Sequence, residues 1–216
     1  MRVRITVVPT LPADVLPLAR LAESTGIDGI GIADSPALHG PCYPTVQHVL
    51  AGTDTLSVGP VVVNPVTQHP SGHAATLWAL RSLAPGRVFA GVGTGDSAVS
   101  SVGLAPAGPD QLADCVTTIR QRVPSVPVLV AIGGGRAAAR VPPAATGVIL
   151  GGGLDPEWLG HLVGLADRSA GHRLQRWAFV IASLDDALRP ERRRAEVLGS
   201  VLTVARHSLA GDLARK

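Results

Sequence analysis

Several residue types are scarce in this chain, and each shortage narrows what the protein can be. Aromatic residues make up only 3% of the 216 positions, so a core has to be built from Ala, Val, Leu and Ile, which favours many small packed β/α layers. Charged residues contribute 16% against 46% hydrophobic, a balance typical of a globular rather than a disordered chain. The length suits one α/β domain, so we expect a single domain over residues 1–216.

Clustered charge and long apolar runs are also missing. The net charge is only +3, and the basic residues are scattered apart from Arg192–Arg194, whereas nucleic-acid binding needs a basic face. No run approaches the ~20 apolar residues of a membrane span, and the N-terminus leads into a strand without a signal peptide. We therefore expect no nucleic-acid partner, no membrane association and a cytoplasmic location.

Few residues are suited to metal binding or lysine chemistry. Cys42 and Cys115 lack metal-ligand spacing and are expected to be reduced and structural. His69 and His73 are four residues apart and can share a helix face, but zinc needs a third ligand and no carboxylate is suitably placed, so we expect no metal. The single lysine is Lys216, which disfavours a sugar- or phosphate-processing barrel that uses a strand-end lysine.

The chain does contain regularly alternating strands and helices, most clearly between Leu56 and Asp96. Two β-branched apolar runs, Val58–Val63 and Val88–Val92, flank a segment with apolar residues near helical spacing. Strand, helix and strand in succession form the βαβ unit of a parallel sheet, and continuous apolar runs indicate a sheet covered on both faces.

The same unit recurs from end to end. Further strands are predicted over Arg4–Val8, Ile27–Ala33, Val126–Ala131, Thr146–Leu150 and Gln175–Ala182. Helices are predicted over Asp14–Thr25, Tyr43–Ala51, Asp110–Arg122, Pro156–Ser169 and Pro190–Leu213, with a loop over Ser97–Pro109. Since a closed barrel of this type has eight units, we predict a shortened α/β TIM-type (β/α) barrel of about seven parallel strands, with incomplete closure. Unpaired sheet edges and an apolar terminal helix favour a homodimer.

Polar and glycine residues follow each predicted strand, where barrels place their ligands. The glycines of Gly93-Thr94-Gly95-Asp96 let a flat ligand approach the backbone, and free N–H groups there can donate hydrogen bonds. Gly151-Gly152-Gly153 leads into a helix N-terminus, a common anion site, although an ordinary β/α turn explains it too. Asp34 and Asn64 are either ligand contacts or turn-forming residues.

Two of these segments carry a resemblance to a known family. VVVNPVTQHP at 61–70, followed by a helix and APGRVFAGVGTGDSAVSSVGLAP at 84–106, resembles the bacterial luciferase-like superfamily, above all its deazaflavin-dependent branch. That branch has a T-N-P-x-x-R-H-P turn, an S-x-G-R unit and a G-x-G-x-G-D strand end. Weaker agreement runs from Ile5 to about Ala182. Gln68 departs from the pattern, because the family usually has arginine there.

The resemblance implies an oxidoreductase that uses coenzyme F420, a deazaflavin, or secondly FMN. The reaction would be hydride transfer to or from a small organic substrate, or its monooxygenation. The alternative is a non-catalytic member that binds flavin or stabilises a partner, since the chain has few barrel units and lacks the arginine at Gln68.

The resemblance also implies roles for single residues. Asp34 contacts the cofactor ring and, with His39 and Asp96, is a candidate for acid/base catalysis. The family has a bulge with a non-prolyl cis peptide behind the ring at the strand end that Val61–Asn64 forms here. Val61 and Val62 are therefore expected cofactor-binding residues, although Val61 and Val63 are most simply core residues. Asn64 hydrogen-bonds the ring edge. The other expected cofactor-binding residues are Thr94, Gly95, Asp96, Ala131, Ile132, Gly133, Gly134, Gly151, Gly152 and Gly153.

Overall fold

The computed structural model describes residues 3–151, 153 and 155–179, of which all but Phe179 belong to one compact unit ending at Ala178. Its strands are β1 Arg4–Val7, β2 Gly29–Ile32, β3 Ser57–Pro60, β4 Ala90–Val92, β5 Val128–Ile132, β6 Gly147–Leu150 and β7 Gln175–Ala178. Its helices are α1 Pro12–Ser24, α2 Cys42–Ala51, α3 Pro70–Leu83, α4 Asp96–Ser100, α5 Pro109–Arg122, α6 Gly135–Ala138 and α7 Pro156–Ala170. The predicted terminal helix over Pro190–Leu213 lies outside the described residues, and the single domain over 1–216 stays a prediction.

All the described strands are parallel and follow one another in chain order. One sheet has the order β1-β2-β3 and the other β4-β5-β6-β7. Two isolated parallel bridges, Val58 to Val88 and Val63 to Val92, join them between β3 and β4. The predicted barrel class with seven parallel strands is therefore confirmed, with β1 and β7 at the two ends of the described strand order.

Two element predictions around the strand ends are wrong in detail. The first residues of the loop predicted over Ser97–Pro109 belong instead to the helix α4, which begins at Asp96 and ends at Ser100. This helix has five residues, too few to show apolar periodicity in the sequence. The strand predicted over Val58–Val63 ends at Pro60, and beyond it the Val61 N–H donates to the carbonyl oxygen of Ile32 on β2. Pairing with β4 resumes only at Val63.

Aliphatic residues fill the layer between the sheet and the helices, as the shortage of aromatics predicts. Ile30, Ile32, Leu77 and Ile119 in this layer are completely buried. Cys42 and Cys115 are buried there too, and both are free thiols as predicted. Among the described helices none is long and apolar enough to cross a membrane.

The inside of the barrel is a second, smaller core. Phe89, Leu129 and Ile149 are buried there, and Trp177 packs against them at the edge. The ring of Phe89 meets that of Trp177 edge-on at 4.8 Å between centroids. The guanidinium carbon of Arg4, on β1, lies 4.1 Å from the centroid of the Trp177 ring on β7. Side chains of the first and last described strands therefore meet across the interior.

Arg87, in the loop before β4, connects several elements at the amino ends of the strands. Its guanidinium donates to the carbonyl oxygen of Leu50 at 2.9 Å, near the end of α2, and to Thr53 Oγ1 at 3.3 Å. It also donates to the carbonyl oxygen of Leu56, just before β3, at 3.4 Å. The arginine of the APGR segment is thus a structural residue that joins α2, β3 and β4 at the amino ends of the strands.

Candidate functional site

Hydrogen bonds link the carboxyl ends of neighbouring strands into one edge. Beyond β3, the Val61 N–H donates to the carbonyl oxygen of Ile32 on β2 at 2.8 Å. The Gly93 N–H, beyond β4, donates to the Val63 carbonyl at 2.8 Å, and the Gly151 N–H, beyond β6, donates to that of Ile132 on β5 at 2.9 Å. The predicted site residues on these segments therefore share one edge of the barrel.

Val61 and Val62 pack directly on glycines of the two flanking strands. A Cβ placed on Gly31 would lie 2.6 Å from Val61 Cγ2, and one on Gly93 would lie 2.8 Å from Val62 Cγ2 and 3.7 Å from Ala131 Cβ. Both valines remain partly exposed. The Val61–Val62 peptide is the one non-prolyl cis bond among the described residues, at the place that the resemblance implies.

Asn64, two residues after Val62, is completely buried. Its Oδ1 accepts from the N–H groups of Val66 at 3.0 Å and Thr67 at 2.9 Å, so the turn-forming role considered for it is real. Its Nδ2 is buried and has no hydrogen-bond partner. A buried donor without an acceptor costs free energy, so this amide fits a ligand that brings an acceptor atom.

Gly95 makes room for Asn64. Its φ of +89° lies in the left-handed region, and a Cβ there would lie 2.6 Å from Asn64 Cγ and 2.5 Å from Val99 Cγ2. Glycine is required both for the backbone conformation and for the contact. Two predicted cofactor residues from different loops, Asn64 and Gly95, are thereby brought together.

Behind Asn64 lie two hydrogen-bonding rings, the buried His73 and the partly buried Tyr43. His73 Nε2 is 2.9 Å from the carbonyl oxygen of Asn64, and His73 Nδ1 is 2.8 Å from Tyr43 Oη. His73, on α3, has no exposed surface, and burial lowers its pKa and outweighs the hydrogen bonds that favour the charged form. Burial also raises the pKa of Tyr43, with further contributions from charge on Cys42 and Asp34.

Asp34 follows β2 on the same side of the barrel. The carboxyl group is half-buried, and burial raises its pKa. It lies close enough to α2 to raise the pKa of Cys42, after the larger effect of burial. A carboxyl group of raised pKa at a strand end is a candidate for giving or taking a proton. His39 lies on the following turn, where its N–H donates to the carbonyl oxygen of Ser35 at 2.9 Å.

Other predicted residues at this edge are exposed. Thr94 is exposed, and its carbonyl oxygen accepts from the N–H of Ala107 at 2.9 Å. Asp96 is exposed in the first turn of α4. Both lie beside Gly95 in the chain, but their side chains face solvent rather than Asn64, so their proposed roles stay predictions.

Open glycine backbone follows β5 and β6. A Cβ placed on Gly133, Gly134 or Gly153 would meet no atom within 4 Å. Gly152 lies outside the described residues. The N-terminus of α7 is already capped, since Asp155 Oδ1 accepts from the Trp158 N–H at 2.7 Å. A carboxylate there disfavours a second anion, so the Gly133–Gly134 turn fits a phosphate better than the loop at 151–153.

These features fit the flat cofactor that the resemblance implies. The glycine-backed valines form an apolar surface, the unpartnered Asn64 amide supplies a donor, and the open turn at 133–134 leaves room for an extended tail. The described residues contain no cluster of three or more His, Cys, Asp or Glu side chains arranged to hold a metal ion.

Sequence reasoning missed the contribution of Tyr43 and weighed His73 only as a metal ligand. The signal available was position: His73 lies one helical turn after His69, so it faces back towards the Asn64 turn. His69 does something different, because its Nδ1 caps α3 by accepting from the Ser71 N–H at 3.2 Å.

Comparisons with known proteins agree with this geometry. The family model described as luciferase-like monooxygenase matches residues 4–121, more than half of the chain. An F420-dependent glucose-6-phosphate dehydrogenase of Nakamurella multipartita is 34% identical over 108 residues, which cover 46% of this chain and 32% of that protein. The aligned part thus spans about a third of that relative's length.

Solved structures extend the likeness at the level of the fold. The coenzyme F420-dependent tetrahydromethanopterin reductase of Methanopyrus kandleri superposes with a TM-score of 0.75 at 17% identity, covering 85% of this chain and 67% of that one. The oxygenating constituent of 3,6-diketocamphane monooxygenase from Pseudomonas putida, solved with FMN, gives 0.65 at 14% identity, over 86% and 68%. By its sequence match and its strand-end geometry, the chain belongs to the luciferase-like monooxygenase family.

Proposed function

We propose that this protein is an oxidoreductase that binds coenzyme F420, or secondly FMN, at the carboxyl edge of the barrel and acts on a small organic substrate. The observation that carries the proposal is the buried Asn64 amide, whose Nδ2 has no partner beside the glycines of the neighbouring strand ends. The order of the two cofactors follows the F420-dependent relative and the F420-dependent structural neighbour. FMN is second because a more distant neighbour was solved with it.

The residues of the edge divide the work of binding. Val61 and Val62 support one face of a planar ring, and Gly31 and Gly93 make room for these valines. Asn64 donates to an acceptor on the ring edge, and the turn at Gly133–Gly134 receives the phosphate-bearing tail. Bound there, F420 or FMN would supply or accept the hydride.

Asp34 is the proposed acid/base group, with His39 and Asp96 as further candidates. Burial keeps the Asp34 carboxyl protonated to a higher pH than a free aspartate, so it can donate a proton to a substrate oxygen and take it back in the reverse direction. The first substrate to test is glucose 6-phosphate, which appears in the name of the relative from Nakamurella multipartita.

The proposal is tested by titrating the purified protein with F420 and with FMN, each followed by fluorescence and absorbance. Asn64→Asp keeps the Oδ1 that forms the turn but replaces the Nδ2 donor by an acceptor. We expect it to weaken binding by about tenfold or more. The matched control is Gln121→Glu, an exposed amide-to-acid change on α5 that should leave affinity unchanged. Failure of the parent protein to bind either cofactor would overturn the proposal.

The second candidate, a non-catalytic binding member, is favoured by one observation. The aligned part spans only 32% of the F420-dependent relative, so most of that enzyme has no counterpart in the match. Cofactor binding without turnover of any offered substrate would support this candidate over the enzyme. We also propose a homodimer, which light scattering after size-exclusion chromatography tests directly.

A further inference from the structure

Beneath the proposed cofactor edge, a buried histidine holds the back of the residue that faces the cofactor. We propose that His73 is a positioning residue for Asn64, fixed by Tyr43 in the neutral form that carries its proton on Nε2. This role rests on the proposed function, because His73 holds the backbone carbonyl of Asn64, the residue whose side-chain amide is proposed to donate to the cofactor. His73 and Tyr43 are not proposed to touch the cofactor.

For a neutral imidazole, the two contacts of His73 fit only one arrangement of protons. The carbonyl oxygen of Asn64 can only accept, so the His73 Nε2 at 2.9 Å has to donate. In a neutral imidazole the other nitrogen then carries a lone pair, and the Tyr43 hydroxyl at 2.8 Å donates to it. Moving the proton to Nδ1 would place two lone pairs against each other at Nε2 and break the contact with Asn64.

The surroundings favour the neutral ring. His73 has no exposed surface, and burial opposes its charged form. Tyr43 lies beside it with the ring planes at 48° and centroids 5.8 Å apart, so the two rings restrict one another. The nearest further histidine, His69, is occupied as the cap of α3.

Asn64 is consequently restrained at three points. Its carbonyl oxygen accepts from His73, its Oδ1 accepts from the Val66 and Thr67 N–H groups, and Gly95 closes against its side chain. The side-chain atom of Asn64 left without a partner is Nδ2. A donor that is already held in place loses little conformational entropy when a ligand binds, which is how preorganised sites gain affinity.

A purely apolar residue would fill the same space at lower cost. Burying an imidazole is unfavourable unless both nitrogens are hydrogen-bonded, and here both are. The positioning role therefore predicts that the donor at Nε2 matters for binding, whereas a packing role predicts that only side-chain volume matters.

The tautomer is tested first, in the protein without cofactor. Nitrogen-15 NMR of the histidine side chains should show His73 neutral with its proton on Nε2, and Tyr43→Phe should change the balance between tautomers because it removes the hydroxyl that donates to Nδ1. A parent protein with the proton on Nδ1, or with a charged His73 ring, would overturn the inference whatever the cofactor does.

Affinity is tested with two substitutions of His73. His73→Leu removes the donor and should weaken F420 binding about tenfold, while His73→Gln keeps an amide N–H within reach of the Asn64 carbonyl and should stay within about threefold of the parent. The matched control is Thr45→Val on α2, which loses a buried hydrogen bond to Pro41 and should lower thermal stability without changing affinity.

The outcomes separate the two proposals. Equal losses for His73→Leu and His73→Gln would show that volume alone matters and would overturn the positioning role while leaving the proposed function intact. If both His73 variants bound F420 as tightly as the parent protein, the positioning role would likewise be overturned and the proposed function left intact. A parent protein that binds neither F420 nor FMN would overturn the proposed function and this role with it.

Discussion

The two halves of the cofactor edge are built differently. From β2 to β4 the edge is packed tightly, so that a Cβ added to Gly31, Gly93 or Gly95 would collide with Val61, Val62 or Asn64. From β5 to β6 it is open, and a Cβ on Gly133, Gly134 or Gly153 would meet nothing within 4 Å. The same residue type therefore serves close packing in the first half and free backbone in the second.

This difference matches the two parts of the proposed cofactor. A planar ring needs a surface and a donor whose positions are fixed before it binds, and the first half supplies both through the valines and Asn64. A flexible phosphate-bearing tail needs accessible N–H groups and little side-chain bulk, which the second half supplies. The comparison predicts that equivalent substitutions in the two halves have opposite consequences.

Substituting one glycine in each half gives the largest expected contrast. Gly95→Ala forces a side chain into the left-handed region and against Asn64, so the free energy of unfolding should fall by about 3 kcal/mol. Gly134 has a φ of −174°, which any residue can adopt, and a Cβ added there by Gly134→Ala would meet no atom within 4 Å. This substitution should leave stability nearly unchanged but weaken cofactor binding, because the methyl group occupies the proposed tail site.

Denaturant unfolding and F420 titration of both variants measure this contrast. The comparison between the halves is wrong if Gly134→Ala destabilises the protein as much as Gly95→Ala does. A Gly134→Ala protein with unchanged affinity would place the tail elsewhere.

The sequence predicted the repeating architecture because local patterns suffice for it. Apolar β-branched runs mark the strands, and Asp155 with Pro156 predicts the start of α7 that the structure has. Gly26 follows the end of α1 with a positive φ of +82°, the conformation typical of a glycine that ends a helix. The short helix α4 was missed because five residues are too few for periodicity to be visible.

Contacts between distant segments were beyond the sequence. The pairing of Tyr43 with His73 joins residues 30 positions apart. Arg4 meets Trp177 although β1 and β7 stand at opposite ends of the described strand order. No local pattern records which side chains a barrel brings together. The glycines were predicted as a place for ligand approach, but their second purpose, making room for Val61, Val62 and Asn64, needed coordinates.

Replacing Asp34, in the packed half, tests whether its buried carboxyl group lowers the stability of the protein while serving in the reaction. Burial raises its folded pKa above the unfolded value, so the native state binds this proton more tightly and its contribution to stability is lost as pH rises through the folded pKa. Asp34→Asn should raise the melting temperature at pH 7 by about 3 °C, a gain that vanishes below the unfolded pKa. Turnover should fall about 100-fold if Asp34 is the acid/base group.

Differential scanning calorimetry between pH 3 and pH 8 checks the stability change. The matched control is Asp54→Asn, at an exposed aspartate at the other end of the strands, which should leave the melting temperature at pH 7 unchanged. An Asp34→Asn protein that melts at lower temperature than the parent at pH 7 would contradict the assigned effect of burial.

The smallest expected effects come from two carboxylates, one in each half, that hold neighbouring segments by hydrogen bonds. Glu23, at the end of α1, accepts from the N–H groups of Thr55 at 2.6 Å, Leu56 at 3.0 Å and Asp54 at 3.0 Å. Asp167, on α7, accepts from the Leu174 N–H at 3.0 Å and pairs with Arg176 at 2.9 Å. These partners hold both pKa values below normal, outweighing the opposing effect of partial burial.

Because their folded pKa values are lowered, both groups stabilise the protein above the unfolded pKa, and the contribution is lost as pH falls through the folded pKa. Glu23→Gln should lower the melting temperature at pH 7 by about 2 °C, since its amide oxygen accepts more weakly, and the difference from the parent should shrink towards pH 3. Asp167→Asn should have a smaller effect, because its ion pair is exposed and screened by salt. Equal effects in the two variants, or an Asp167→Asn effect that persists in high salt and exceeds that of Glu23→Gln, would mean that the second half is anchored as firmly as the first, and that its openness is confined to the glycine turns.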